Sequence, residues 1–313
     1  MAPSFAIATG QPPLGWLGAL TGRSWGVEKF RSENRGRGHG TMLGAATSAW
    51  TGIDAGMEND LAAIAARTER HASEPRYRAE DLVYEAWEAT GPRRAVLARE
   101  ALALWPACAD AYVLLAQAAS SLEEARELLE RGVAAGERAV GQGVFVDDAG
   151  DFWLIFETRP YMRARAGLAA TLWRLGRREE AVEHQRELLR LNPRDNQGLR
   201  YRQANWLLAL EAYDELEELF AAHAGDGNAP GFIYTRALAA FARRGAGTQA
   251  RALLDQARGL NSHIPSYLTG RKKLPSKRPA YTVFGEESEA VDYAAGAGEL
   301  WGSVPGALAW LHS

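Results

Sequence analysis

From Tyr77 to the C-terminus, apolar residues recur at three- and four-residue spacing almost without a break, the period of helices that bury one face. Leu82, Val83, Ala86 and Trp87 form the first stripe, which Gly91-Pro92 ends. Ala95, Leu97, Ala98, Ala101 and Leu102 form the next, closed by Pro106. Together they predict a helix pair that stops at a proline. A second pair follows, with Ala111, Leu114, Leu115 and Ala118 on one helix and Ala125, Leu128, Leu129 and Val133 on the other. Ser121 stands where a cap belongs, and Glu123 and Glu124 fill the first turn behind it. The period then breaks over residues 136–160. This stretch holds Gly141, Gly143 and Gly150, the acidic group Asp147, Asp148 and Asp151, and an apolar run from Phe152 to Phe156. Structureless insertions of this length are uncommon in compact domains. Trp153 and Phe156 are expected to pack over the helices and hold the insert as a side element.

The third pair is the clearest. Tyr161 to Leu175 reads as one helix, Gly176 as the turn and Arg178 to Leu191 as its partner, stopped by Asn192-Pro193. Leu168, Ala169, Leu172, Gly176, Ala181 and Pro193 stand where a tetratricopeptide repeat needs its fixed residues. Ala169 and Ala181 are small where the two helices cross closely. A fourth pair runs from Asn196 to Ala224 and a fifth from Phe232 to Leu260, with its turn at Gly245 to Gly247. One repeat cannot bury its own apolar face, so repeats stack. The pattern therefore predicts an all-α, tetratricopeptide-like solenoid of about five helix pairs. Its expected layout is a leader over 1–56, an N-terminal helix and two pairs over 57–135, the insert over 136–160, three pairs over 161–262 and a cap over 263–313. In that cap, Ser303 is expected to start a short last helix carrying Trp310 and Leu311.

Composition narrows the function more than the fold. The net charge of -3 makes no bulk electrostatic case for nucleic acid. No run approaches the roughly 18 apolar residues of a membrane span. The N-terminus lacks the basic start and apolar core of a secretory signal, so the expected location is the cytoplasm. Residues 1–56 hold eleven of the 32 glycines and show no helical period; they read as a disordered leader, with Met57 as an alternative true start. Lysine is rare beside arginine, and Ala and Gly are abundant, a bias that points to a GC-rich bacterial genome. The single cysteine, Cys108, excludes an internal disulfide and reads as a small packed residue.

Several longer runs resemble a known family. They are Glu157 to Arg165, Leu191 to Tyr201, Ala212 to Leu216, Asn261 to Leu268 and Pro305 to Leu311. Together they are similar to the suppression of tumorigenicity 7 family in its short bacterial form. The likeness covers roughly Asp81 to His312. It implies a tetratricopeptide-like fold and no catalytic residues, and residues 1–56 find no counterpart in it.

Catalytic and metal signatures are missing from the sequence. The six histidines are scattered, with no His-x-x-x-His or Cys-x-x-Cys pair, so no metal or cofactor is expected. The three aspartates of the insert do not have calcium-loop spacing. Binding has better support. By spacing, Arg163, Ala166, Ala170, Trp173 and Arg174 share one side of the third pair; Gln197, Arg200, Tyr201 and Asn205 belong to the fourth, and Phe232, Thr235 and Arg236 to the fifth. Arginine among aromatic and amide neighbours suits carboxylates and extended peptides. The expected function is a non-enzymatic scaffold that takes a protein or peptide partner in its concave groove. Arg159 and Tyr161 join that groove or else hold the insert in place. A second reading is an enzyme, or an accessory subunit, whose insert brings Asp151, Glu157 and Arg159 over a site. A third is nucleic-acid binding through the basic run Arg271 to Arg278.

Overall fold

A computed structural model describes residues 74–226, 229–279 and 281–312. The expected leader and the Met57 start lie outside the described residues. Among those described there are fourteen α-helices and no strand, so the described part is all-α. None of these helices is long and apolar enough to cross a membrane. The described residues divide into two units, 74–193 and 194–312.

The N-terminal unit begins with α1 (Pro75–Glu88) and α2 (Pro92–Leu104), which pack on each other. Gly91 turns between them at φ 60°, a conformation that costs a residue with a Cβ, and Pro92 then presets the first turn of α2. Their shared core of Val83, Ala86, Leu97, Ala98 and Ala101 continues into Ala111 and Leu114 of α3 (Ala109–Gln117). Cys108 lies in the same core, where burial pushes its thiol up to about 12, leaving it inert at neutral pH. Helix α4 (Leu122–Val140) packs on α3. Ser121 caps it, its hydroxyl accepting from the Glu124 amide at 3.1 Å while the Glu124 carboxylate accepts from the Ser120 amide.

The expected break at Gly136 does not occur. Helix α4 runs on to Val140, and Gly136 is buried inside it. The glycine is there for closeness: a Cβ on it would sit 2.7 Å from the Cβ of Tyr161 and 2.9 Å from its Cα. The insert therefore starts at Gly141 (φ 83°), passes through the short α5 (Val144–Asp147) and two 3₁₀ turns, Phe152–Leu154 and Phe156–Thr158, and enters α6 (Arg159–Arg174). Helix α6 is the centre of the unit. It packs on α3, on α4 and on α7 (Arg178–Leu191). Ala169 of α6 and Ala181 of α7 are both fully buried, and the two helices pack on each other. A longer side chain at either would overpack that contact at a cost of roughly 1–3 kcal/mol.

The C-terminal unit holds α8 (Leu199–Ala209) with α9 (Tyr213–Ala222), then α10 (Pro230–Arg244) with α11 (Thr248–Leu260). The short α12 (Ile264–Leu268) leads through a long loop to α13 (Glu287–Ser303) and the final α14 (Ala307–Trp310). Helix α10 is its central element, in contact with α8, α11, α13 and α14. Trp310 stacks on Phe241 of α10 with ring centroids 4.4 Å apart, and the fully buried Trp301 lies beside Tyr234. Ser303 does not start the last helix. It is the last residue of α13, its hydroxyl donating to the Leu300 carbonyl, and Gly306 at φ 80° makes the turn into α14. Pro305 rules out an uninterrupted helix, and a glycine takes the left-handed turn at low cost.

Candidate functional site

Arg163, the leading candidate on α6, is engaged within the protein. Its Nε and one Nη donate to the two carboxylate oxygens of Asp110 on α3, at 2.7 and 2.5 Å. Asp110 is buried. Burial works against the guanidinium charge, yet the carboxylate beside it more than restores that charge, and the Arg163 pKa ends above its ordinary value. The pair joins residues 53 positions apart and locks α3 to α6. Ala166 and Ala170, expected on the same open side, are buried as well. The physical reason is that α6 has neighbours on nearly every side, so spacing alone does not give it a free face.

Arg159 and Tyr161 both serve the insert. Tyr161 is buried against Phe145 (centroids 5.0 Å apart, nearly perpendicular) and Phe152 (6.1 Å). The hydroxyl of Thr158 donates to the carbonyls of Phe152 and Ile155, and the Gly150 amide donates to the Leu191 carbonyl at 3.1 Å, closing the insert onto the end of α7. Phe145 and Phe152, not Trp153 and Phe156, thus pack the insert down. The apolar run alternates: Phe152 is buried, while Leu154 and Phe156 are about half exposed. Arg159 lies across those outer rings, its guanidinium 4.1 Å from the Phe156 centroid and 5.2 Å from that of Trp153, with Nε donating to the Trp153 carbonyl. The result is an aromatic and cationic face on a rigid base. Asp147, Asp151 and Glu157 of the same insert are exposed. Trp173 carries Arg178 over its ring at 5.3 Å, and burial lowers the Arg174 pKa.

In the C-terminal unit, Asp195 adopts φ 46°, which is uncommon for a residue with a side chain, and it is buried. It caps α8: its carboxylate accepts from the Leu199 amide (2.7 Å), the Arg200 amide (2.9 Å) and Nη1 of Arg200 (2.9 Å). Arg200 also lies over the Tyr201 ring at 4.5 Å, and Tyr201 meets Phe232 edge to face at 5.6 Å. Gln197 is half-buried beside that cap. Asn205 accepts from the Thr235 hydroxyl at 2.8 Å, which in turn meets the Tyr293 hydroxyl at 3.1 Å. Phe232 and Thr235 are buried, whereas Arg236 is exposed and lies over Phe220 at 5.6 Å. The expected groove residues of this unit therefore fall into two kinds: Arg200, Tyr201 and Asn205 support local structure, and Arg236 reaches the surface.

One buried site had no signal in the sequence. Glu289 of α13 is only 5% exposed and pairs with no described cation. It accepts from Nδ2 of Asn261 (2.9 Å), the Gly285 amide (2.8 Å) and the Gly231 amide (3.2 Å). Three donors around one buried carboxylate hold α10, α11 and α13 together. Its neighbours Glu286 and Glu287 are exposed, so a run of acids near a helix start hides one that is internal. Among the described residues, no group of three or more histidine, cysteine or acidic side chains could hold a metal ion.

No family model matches the chain, and no solved structure matches it. Curated relatives do. The human protein named suppressor of tumorigenicity 7 protein-like is 29% identical over 255 residues, covering 74% of this chain and 44% of that protein. The bovine protein of the same name is equally identical, with 46% of its length covered. The mouse protein of that name matches over 256 residues. The chain thus spans less than half the length of these relatives. The runs Glu157 to Arg165 and Leu191 to Tyr201, which carry the resemblance, hold the insert's anchor Tyr161 and the α8 cap Asp195. By sequence, the chain is related to the suppressor of tumorigenicity 7 family.

Proposed function

We propose that this protein is a non-catalytic, tetratricopeptide-like helical scaffold that binds a segment of a partner protein. Successive helix pairs with glycine or proline at their turns and small residues at their crossings support the repeat reading. The observation that carries the binding role is the outer face of the insert. Phe156 and Leu154 are 52% and 51% exposed, and Arg159 is laid over Phe156 and Trp153. Aromatic and arginine side chains on a firmly held base have the composition of binding hot spots, because little conformational freedom remains to be lost on contact. The partner such a face suits carries apolar side chains next to a carboxylate. Arg163 is engaged with Asp110 and Arg200 with Asp195, so neither is assigned to ligand contact; Arg236, exposed on the other unit, is not part of this face.

The test is affinity capture with the full chain as bait, comparing the unaltered protein with a Leu154→Ser, Phe156→Ser variant. A specific partner is expected to be lost from the variant and retained by Arg236→Ala. Both baits should keep the same helical circular dichroism. An identical set of captured proteins with all three baits would place binding elsewhere.

A further inference from the structure

The loop between α12 and α13 concentrates cations beside outward-facing apolar side chains. Arg271, Lys272, Lys273, Lys277 and Arg278 put five cations in eight residues, including three of the four lysines of the whole chain. Lys272 is paired with Glu287 at 2.6 Å, and Arg278 approaches Asp292 at 3.9 Å. Arg271, Lys273 and Lys277 are exposed and pair with no described acid. Beside them stand four large apolar side chains turned outward: Leu274 at 45%, Tyr281 at 68%, Val283 at 44% and Phe284 at 61% exposure. These are four of the nine large hydrophobic residues exposed among those described.

The loop is stapled at its base and open at its tip. On one side the Lys272 amide donates to the Ser266 carbonyl, and the Tyr267 hydroxyl donates to Glu287. On the other, the Val283 amide donates to the Ser288 hydroxyl, the Thr282 hydroxyl to Asp292 and the Gly285 amide to the buried Glu289. Its apolar and cationic side chains are thus presented outward from a fixed root.

We propose that residues 271–279 and 281–284 dock on the surface of an anionic lipid bilayer, with the cations at the headgroups and Leu274, Tyr281, Val283 and Phe284 entering the interface. Cations interleaved with apolar tips match a surface that is negative outside and apolar just beneath. The aliphatic members favour lipid over nucleic acid, since base stacking uses only π faces. The contact lies on the membrane and does not span it, in keeping with the described helices. It is independent of the partner surface on the insert.

The experiment is co-sedimentation of the full chain with vesicles of phosphatidylcholine alone or with added phosphatidylserine. Binding is expected only to the anionic vesicles and should weaken with added salt. The triple variant Arg271→Gln, Lys273→Gln, Lys277→Gln should bind about a hundred-fold more weakly, at about five-fold per cation. Phe284→Ser should weaken binding about ten-fold while keeping the salt dependence. All these side chains are exposed, so helicity should not change. No binding to anionic vesicles, or equal binding by both variants, would overturn the proposal. So would binding of an oligouridine strand in place of vesicles.

Discussion

The two units solve one problem in different ways. Each has a central helix that must be locked to neighbours distant in sequence. In the N-terminal unit the lock is a charged pair, Arg163 on α6 with Asp110 on α3. In the C-terminal unit it is a lone carboxylate, Glu289, held by two backbone amides and an asparagine. A buried ion pair is costly to break from one side, because the remaining charge has no partner. A carboxylate ringed by neutral donors spreads the same demand over several groups, each of modest worth. The charged lock should therefore be the more fragile to a single substitution and the easier to replace as a pair.

The largest expected effect tests that directly. Arg163→Ala should destabilise the N-terminal unit by about 3–5 kcal/mol, read by urea unfolding, because Asp110 is left buried without its partner. The double variant Arg163→Met, Asp110→Leu should regain most of the loss; if it unfolds as readily as the single variant, the pair is more than a lock. In the other unit, Glu289→Leu leaves three donors unanswered and should cost about 2–3 kcal/mol, with Glu289→Gln costing less because one oxygen remains. Hydrogen exchange should place that loss in α10, α11 and α13. Gly136→Ala tests the base of the insert: the new methyl meets the Tyr161 backbone, and a loss of about 1–3 kcal/mol with faster exchange over 141–158 is expected.

The smallest effect concerns pH. His184 on α7 is held down to about 4, chiefly by burial and then by the Arg165 charge, with Glu180 and Glu130 opposing. Its folded pKa is below the unfolded value near 6.5. The unfolded chain thus binds the proton more readily, and stability falls as pH drops from about 6.5 to 4. His184→Gln should flatten that part of the N-terminal unit's stability profile; an unchanged slope would assign it to other groups.

Much of the architecture was legible along the chain, and the reasons are local. Gly91-Pro92, Gly176 and Asn192-Pro193 mark turns through backbone sterics that act within a few residues. Ser121 caps α4 by a bond to a residue three positions away, and Ala169 and Ala181 are buried as their size suggests. At Gly136 the sequence suggests a break, because a glycine in a helix looks alike whether it ends the helix or admits a neighbour. Only the close approach of Tyr161 tells the two apart. The apolar run Phe152 to Phe156 announced packing but not which rings pack, since 3₁₀ turns do not follow the helical period.

Helix class, most turns and the family relation therefore come from short-range spacing, and the amino-acid order is enough for them, whereas the ends of α4 and α13 needed the packed structure. The allocation of arginines does not. Arg163, Arg200 and Arg236 look equivalent as residues on amphipathic helices. They separate into a partly buried ion pair, a helix cap and a surface group only when Asp110, Asp195 and Phe220 are brought beside them. A side chain's partner is set by which helices surround it, and that is a property of packing in three dimensions, not of spacing along one helix. The same holds for Glu289, one acid in an acidic run until Asn261 and two amides close around it.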